Sequence, residues 1–146
     1  MKFKINYKLI LVMLWMLLVF SLSGEVASES SKTSGGVIAL ISKICGINLL
    51  QYELTEFIVR KLAHFSLYAL GGIVIYFYIR DYKFSFKKEF LLSFLCGSIY
   101  ACTDEFHQTF VAGRSGELRD ICIDSLGVLV GVSIISFIFR KILKKS

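Results

Sequence analysis

Several side chains capable of chemistry sit near the ends of apolar runs in this sequence. They are Lys61, His64, Tyr68, Asp104, Glu105, His107, Gln108, Arg114, Asp120 and Asp124. Their spacing is helical. Lys61, His64 and Tyr68 stand at i, i+3 and i+7, with Gly72 one turn further on. Tyr100, Asp104 and Gln108 share a second face with Gly97 behind them, and Asp120 and Asp124 share a third, continued by Gly127 and Gly131. His64 or Glu105 can act as a general base, with Asp104 and Asp120 orienting it or holding a divalent ion. Lys61 and Arg114 can hold an anionic group, Arg114 with its planar fork. Tyr68, Gln108 and Asp124 complete the candidate ligand-binding set. Four carboxylates suit Mg²⁺ or Ca²⁺, but no consecutive spacing marks a metal loop and the sequence requires no cofactor.

Each position also has an ordinary reading. Lys61 can snorkel at a helix end. His64 and Tyr68 can be buried groups satisfied by a neighbouring helix. The acids can form structural ion pairs with Arg114 and Lys61. His107 points away from the Asp104–Gln108 face and reads as a loop-end residue. The gathering of all these groups at one depth on three helices favours a common recess.

The elements that must carry them are apolar. The chain has 146 residues, 55% hydrophobic and 19% charged, with no proline, and a mean hydropathy of +0.68. A soluble domain carries roughly 45–50% apolar and about 25% charged residues. Disorder, collagen and small disulfide scaffolds are excluded, and a small polytopic membrane protein is expected. The fold class expected is all-α: one membrane domain over residues 1–146, a four-span helical bundle. Its spans lie at about 5–22, 62–79, 90–109 and 121–139. Span one also fits a signal peptide with Ala27 near a cleavage region, but the three following spans favour retention.

The net charge of +6 is distributed in a way that argues against nucleic acid. Basic residues cluster beside the spans: Lys2, Lys4 and Lys8; Arg80, Lys83, Lys87 and Lys88; Arg140, Lys141, Lys144 and Lys145. With the N-terminus inside, the cytoplasmic segments hold 11 of the 17 basic residues and only Asp81 and Glu89 as acids. Both termini are therefore expected in the cytoplasm. Residues 23–36 read as a polar loop, and residues 37–50 as a short outer interfacial helix that Glu53–Phe57 continues into span two. Cys96 and Cys102 read as small core hydrophobes, and a Cys102–Cys122 disulfide stays open.

Span three is too short without its acids. Phe90 to Cys102 gives 13 residues, roughly 20 Å of helix against a hydrocarbon core of roughly 30 Å. The helix must continue through Asp104, Glu105 and Gln108, which places ionisable groups within membrane depth. Arg114, on a connection with Gly113 and Gly116, is expected to contact one or more of Asp104, Glu105, Asp120 and Asp124.

Three ordered motifs carry a family resemblance: Lys61-x-x-His64-Phe65-x-x-Tyr68, Asp104-Glu105-x-x-Gln108-x-Phe110-x-x-Gly113-Arg114, and Asp120-x-x-x-Asp124-x-x-Gly127-x-x-x-Gly131. The chain resembles the VanZ-like membrane protein family over about residues 5–140. The resemblance implies a multi-pass protein of the bacterial plasma membrane and cell envelope, in a family whose founding member is associated with teicoplanin resistance. One departure is Asp124, where the family usually has Asn, so this chain carries an added acid. Three functions fit the residues: binding of an anionic, lipid-linked or phosphate-bearing envelope component in an outward recess, an enzyme acting on such a component, or a structural partner. The lipid bilayer is the partner expected in every case.

Overall fold

The computed structural model describes residues 6–46 and 53–143. Among these, five helices follow in order: α1 (Tyr7–Ser23), α2 (Ala27–Cys45), α3 (Glu53–Ile79), α4 (Phe86–Gln108) and α5 (Leu118–Leu143). A 3-10 turn, Arg80–Tyr82, follows α3. The all-α expectation holds. Ile5, the basic residues Lys2, Lys4, Lys144 and Lys145, and the 47–50 end of the expected interfacial helix lie outside the described residues.

Local chemistry sets the boundaries. The Asn6 side chain accepts from the amides of Lys8 and Leu9 at 3.1 and 3.4 Å and so caps α1. Gly46, with φ +71°, ends α2 in the left-handed conformation that glycine adopts without strain. α1 starts and α3 ends at one end of the bundle, the Lys8 end; α1 ends and α5 starts at the other, the Arg114 end.

α3 is the hub, packing on α1, α2, α4 and α5, and most extensively on α5. The cause is the glycine pattern. A Cβ on Gly131 would lie 1.9 Å from the Ala69 carbonyl oxygen, and one on Gly127 would lie 2.4 Å from that of Phe65. On the facing side, a Cβ on Gly72 would lie 2.5 Å from the Val128 carbonyl oxygen. The two helices touch backbone to backbone there. Gly71 makes room for the Trp15 indole, whose Nε1 donates to the Leu67 carbonyl at 2.9 Å and fixes α1 to α3.

The surface is inverted relative to a water-soluble protein. Leu17, Leu70, Ile99, Leu126 and Phe137 face outward, while Asp104, Glu105, Gln108, Asp124 and Ser136 are buried. That distribution is favourable only in an apolar solvent. Residues 54–82 and 118–142 are long and apolar enough to cross a bilayer, and α1 with α2, bent by 106°, qualifies only as a pair. The 17 residues of α1 reach roughly 26 Å. α4 carries Lys87, Lys88 and Glu89 near one end and Asp104 and Glu105 near the other. The four expected spans are thus all helical, and two of them meet the length and apolarity of a span unaided.

Residues 23–36 are not a polar loop, because helix α2 starts at Ala27. Serine and threonine are weak helix formers, but here Thr33 and Ser34 return their hydroxyls to the carbonyls of Glu29 and Ser30 within the helix. The helix between spans one and two therefore runs over Ala27–Cys45, longer and earlier than expected, and Glu53–Phe57 belongs to α3. Cys96 and Cys102 are not core residues. All four cysteines are free and exposed, since Gly97 and Ala101 take the inward face of α4.

Candidate functional site

The site lies at the Arg114 end, where α3, α4 and α5 converge. Glycine contacts hold α5 against α3 just below it, so His64 on α3 comes to face Asp124 on α5. His64 Nδ1 stands 3.7 Å from Asp124 Oδ2, beyond hydrogen-bond length. Asp104 joins them from α4: His64, Asp104 and Asp124 each offer a ligand atom, all within 4.8 Å of one another. Tyr68, one turn below His64 and fully buried, turns its hydroxyl toward Asp104 and Asp124 without a hydrogen bond of normal geometry.

These groups are under-satisfied. Asp124 is 0% exposed, and neither of its carboxylate oxygens has a hydrogen-bond partner among the described residues. Asp104 Oδ1 also has none. Native proteins rarely leave buried polar atoms unpaired, and each such atom calls for a cause.

The neighbouring acids are committed elsewhere. Asp120 accepts Lys61 Nζ on both oxygens at 2.5 Å. Glu105 accepts the Glu117 amide through Oε2 and Gln108 Nε2 through Oε1, each at 2.9 Å. This folds the α4–α5 connection back onto the end of α4, and Gly116 permits the approach, since a Cβ there would lie 2.8 Å from the Glu105 carbonyl oxygen.

Arg114 does not form the direct carboxylate pair expected of it, and no ion pair of Arg114 occurs among the described residues. Its Nη1 donates to Gln108 Oε1 at 3.2 Å, and Gln108 in turn donates to Glu105 and, at 3.3 Å, to Asp104. The amide separates the guanidinium from the acids because Gln108, on the same helical face, reaches them first. Arg114 Nε is buried without a partner. Burial, and then the positive charge of Arg60, lowers the Arg114 pKa, against the raising influence of Glu25, Asp104 and Glu105.

Arg60 is the residue that sequence reasoning passed over. It stands beside Lys61, just before the apolar run that starts at Leu62, where basic residues ordinarily mark the boundary of a span. In the fold it lines two cavities together with Arg114. One is an apolar groove of about 390 Å³ between α2 and α3, walled by Leu22, Val37, Ile41 and Leu67 and reached by His64. The other, of about 290 Å³, opens onto Lys61, Gln108 and Asp120. His107 stacks on Phe20 at 4.3 Å between ring centroids, joining α4 to the end of α1.

The structure thus brings His64, Tyr68, Asp104 and Asp124 into one cluster and ties Lys61 to Asp120. It routes Arg114 through Gln108 to Glu105. No curated protein and no solved structure matches the chain. Residues 8–140, which include every helix motif described above, match the VanZ/LLP1 family; the chain belongs to that family and is a multi-pass membrane protein.

Proposed function

We propose that this protein sits in the bacterial plasma membrane with both termini cytoplasmic and binds an anionic, lipid-linked envelope component at its Arg114 end. Through that binding it modulates susceptibility to glycopeptide antibiotics of the teicoplanin type. The observation that carries the reading is a pair of arginines at the head of an apolar groove. Arg60 and Arg114 both line it, and neither has an ion pair among the described residues. Glu25 lines the same groove and offsets part of their charge; the remaining positive charge at the edge of a bilayer favours a bound anion. A phosphate or carboxylate head fits their forks, and the walls of Leu22, Val37, Ile41 and Leu67 suit an acyl or prenyl tail. Lys61, engaged by Asp120, takes a supporting role.

The test is lipid mass spectrometry on the full chain purified in mild detergent. Wild type should retain an anionic amphiphile. Arg60→Gln and Arg114→Gln should each lower its recovery about tenfold, as expected for loss of a charge-assisted bond of roughly 1.5 kcal/mol. Equal recovery from wild type and both variants would end this reading. The orientation is tested separately, by labelling intact cells with a membrane-impermeant thiol reagent in a cysteine-free background. Glu117→Cys should react and Lys83→Cys should not.

A second reading, an enzyme acting on the same amphiphile, is favoured by His64. It is part-exposed to the groove with the Asp124 carboxylate behind it, the layout of an oriented general base. Turnover of a bound amphiphile, lost in His64→Gln with binding retained, would distinguish it from simple binding.

A further inference from the structure

We infer that His64, Asp104 and Asp124 form a site for one divalent transition-metal ion, with the Tyr68 hydroxyl facing it. The inference does not depend on what the arginine groove holds.

Geometry supports it first. Two donors on one zinc ion lie at most about 4.2 Å apart, twice a ligand distance of about 2.1 Å. The three side chains already place donor atoms within 4.8 Å of one another, and the His64–Asp124 separation of 3.7 Å falls inside that span. Small side-chain rotations close the rest. The ligands come from three different helices, and the backbone contacts of Gly127 and Gly131 against α3 hold two of those helices in register.

Satisfaction supports it second. Asp124, fully buried, offers two unpartnered oxygens, and Asp104 and Tyr68 offer one unpartnered oxygen each. Asp104 and Asp124 are also the residues that supply ligand atoms beside His64. Charge supports it third. Two buried carboxylates need positive charge, and the nearby cations do not reach them: Lys61 pairs with Asp120, and Gln108 stands between Arg114 and Asp104. A neutral imidazole with two carboxylates and a dication is close to electroneutral.

The donor set selects the metal. Mg²⁺ and Ca²⁺ take oxygen ligands, and the four-carboxylate site that would suit them does not form, because Glu105 and Asp120 are engaged elsewhere. One imidazole and two carboxylates suit Zn²⁺, Mn²⁺, Fe²⁺ or Co²⁺. Three protein ligands leave a position for water, which is the pattern of reactive rather than purely structural zinc sites.

The competing account is a proton shared between Asp104 and Asp124 with no metal. The test uses the full chain in detergent, stripped with a chelator and titrated with Co²⁺ and with Zn²⁺. Wild type should bind one ion per chain by elemental analysis, show the visible absorption of coordinated Co²⁺, and gain thermal stability with rising Zn²⁺. Asp124→Asn and His64→Gln should bind about 100-fold more weakly or worse and lose the Co²⁺ bands. Asp81→Asn, an exposed carboxylate at the far end, should behave as wild type. Circular dichroism identifies any variant that fails to fold, and Asp104→Asn then replaces it. Wild type without Co²⁺ bands, or with bands that persist in folded ligand variants, would overturn the site in favour of the shared proton or adventitious surface binding.

Discussion

The two ends of this bundle differ in how fully their buried polar groups are paired. At the Lys8 end, basic groups lie over aromatic faces: Arg80 over Phe139 at 3.9 Å, Lys8 over Phe77 and Arg140 over Phe86 at 4.4 Å each. Lys8 also pairs with Asp81, and the buried Glu89 accepts the Tyr76 hydroxyl at 3.3 Å. The cavity there, about 580 Å³, is lined by Lys8, Arg80, Arg140 and Glu89, each of which has one of these partners. Cations stacked on rings near a helix end are how a span anchors at a bilayer surface. At the Arg114 end both oxygens of Asp124, Oδ1 of Asp104 and the Nε of Arg114 have no hydrogen-bond partner among the described residues. On the proposed reading, the satisfied end positions the protein and the unsatisfied end takes the ligand.

The contrast depends on the middle of the bundle keeping the two ends in register. Gly131→Leu should break it most severely, because even a Cβ would lie 1.9 Å from the Ala69 carbonyl oxygen and backbone cannot yield as a side chain does. The cost should reach or exceed the upper end of the roughly 1–3 kcal/mol typical of overpacking. Val130→Leu, on the exposed face, should be neutral. Folded yield in membranes and thermal unfolding in detergent give the answer; equal stability of the two variants would remove glycine packing as the organiser of the site.

Lys61→Met sharpens the comparison at the Arg114 end. It leaves Asp120 with only the Arg119 Nε, 3.9 Å away, in a partly buried position, where the Lys61 and Asp120 side chains are 20% and 15% exposed. The expected loss is about 1–3 kcal/mol, below the 3–5 kcal/mol of a fully buried pair. Asp120→Asn in the same background should recover most of it, because no uncompensated charge then remains. Unfolding midpoints of the single and double variants measure both effects.

These expectations show which parts of the molecule the sequence made legible. Helical stripes at spacing three, four and seven were enough to bring His64, Tyr68, Asp104 and Asp124 together, because glycine spacing on α5 and α3 already dictated the contact face. The partition of the acids was not legible. All four are carboxylates, and only the fold separates them: the path of the α4–α5 connection brings the Glu117 amide to Glu105, and the packing of α3 on α5 brings Lys61 to Asp120. Arg114 forms no ion pair among the described residues for a related reason: Gln108 lies on the same face as Asp104 and intercepts it. Arg60 was hidden by its own position, since a basic doublet beside an apolar run reads as a topological marker whether or not it also binds. Helix α2 was misread because its Ser- and Gly-rich first half resembles a loop, and nothing in composition shows hydroxyls bonding back within a helix.

The smallest effect is expected at the Lys8 end, and it tests the contrast most directly. Lys8→Met removes both the pair with Asp81 and the position over Phe77. Asp81 is 44% exposed on its side chain, so water replaces much of what Lys8 provides, and salt screens the remainder. The ring contact adds about 0.5–1 kcal/mol where it is exposed, but the methionine stem keeps its packing on Phe77 and retains part of that. The coupling between Lys8→Met and Asp81→Asn in a double-mutant cycle should therefore fall below about 1 kcal/mol and shrink further at high salt. The Lys61–Asp120 cycle should give a larger coupling that salt changes little, because its partners are less exposed. Couplings of equal size and equal salt dependence would mean that the two ends hold charge alike. The unpartnered acids beside His64 and the arginines of the groove would then be the remaining grounds for placing function at the Arg114 end.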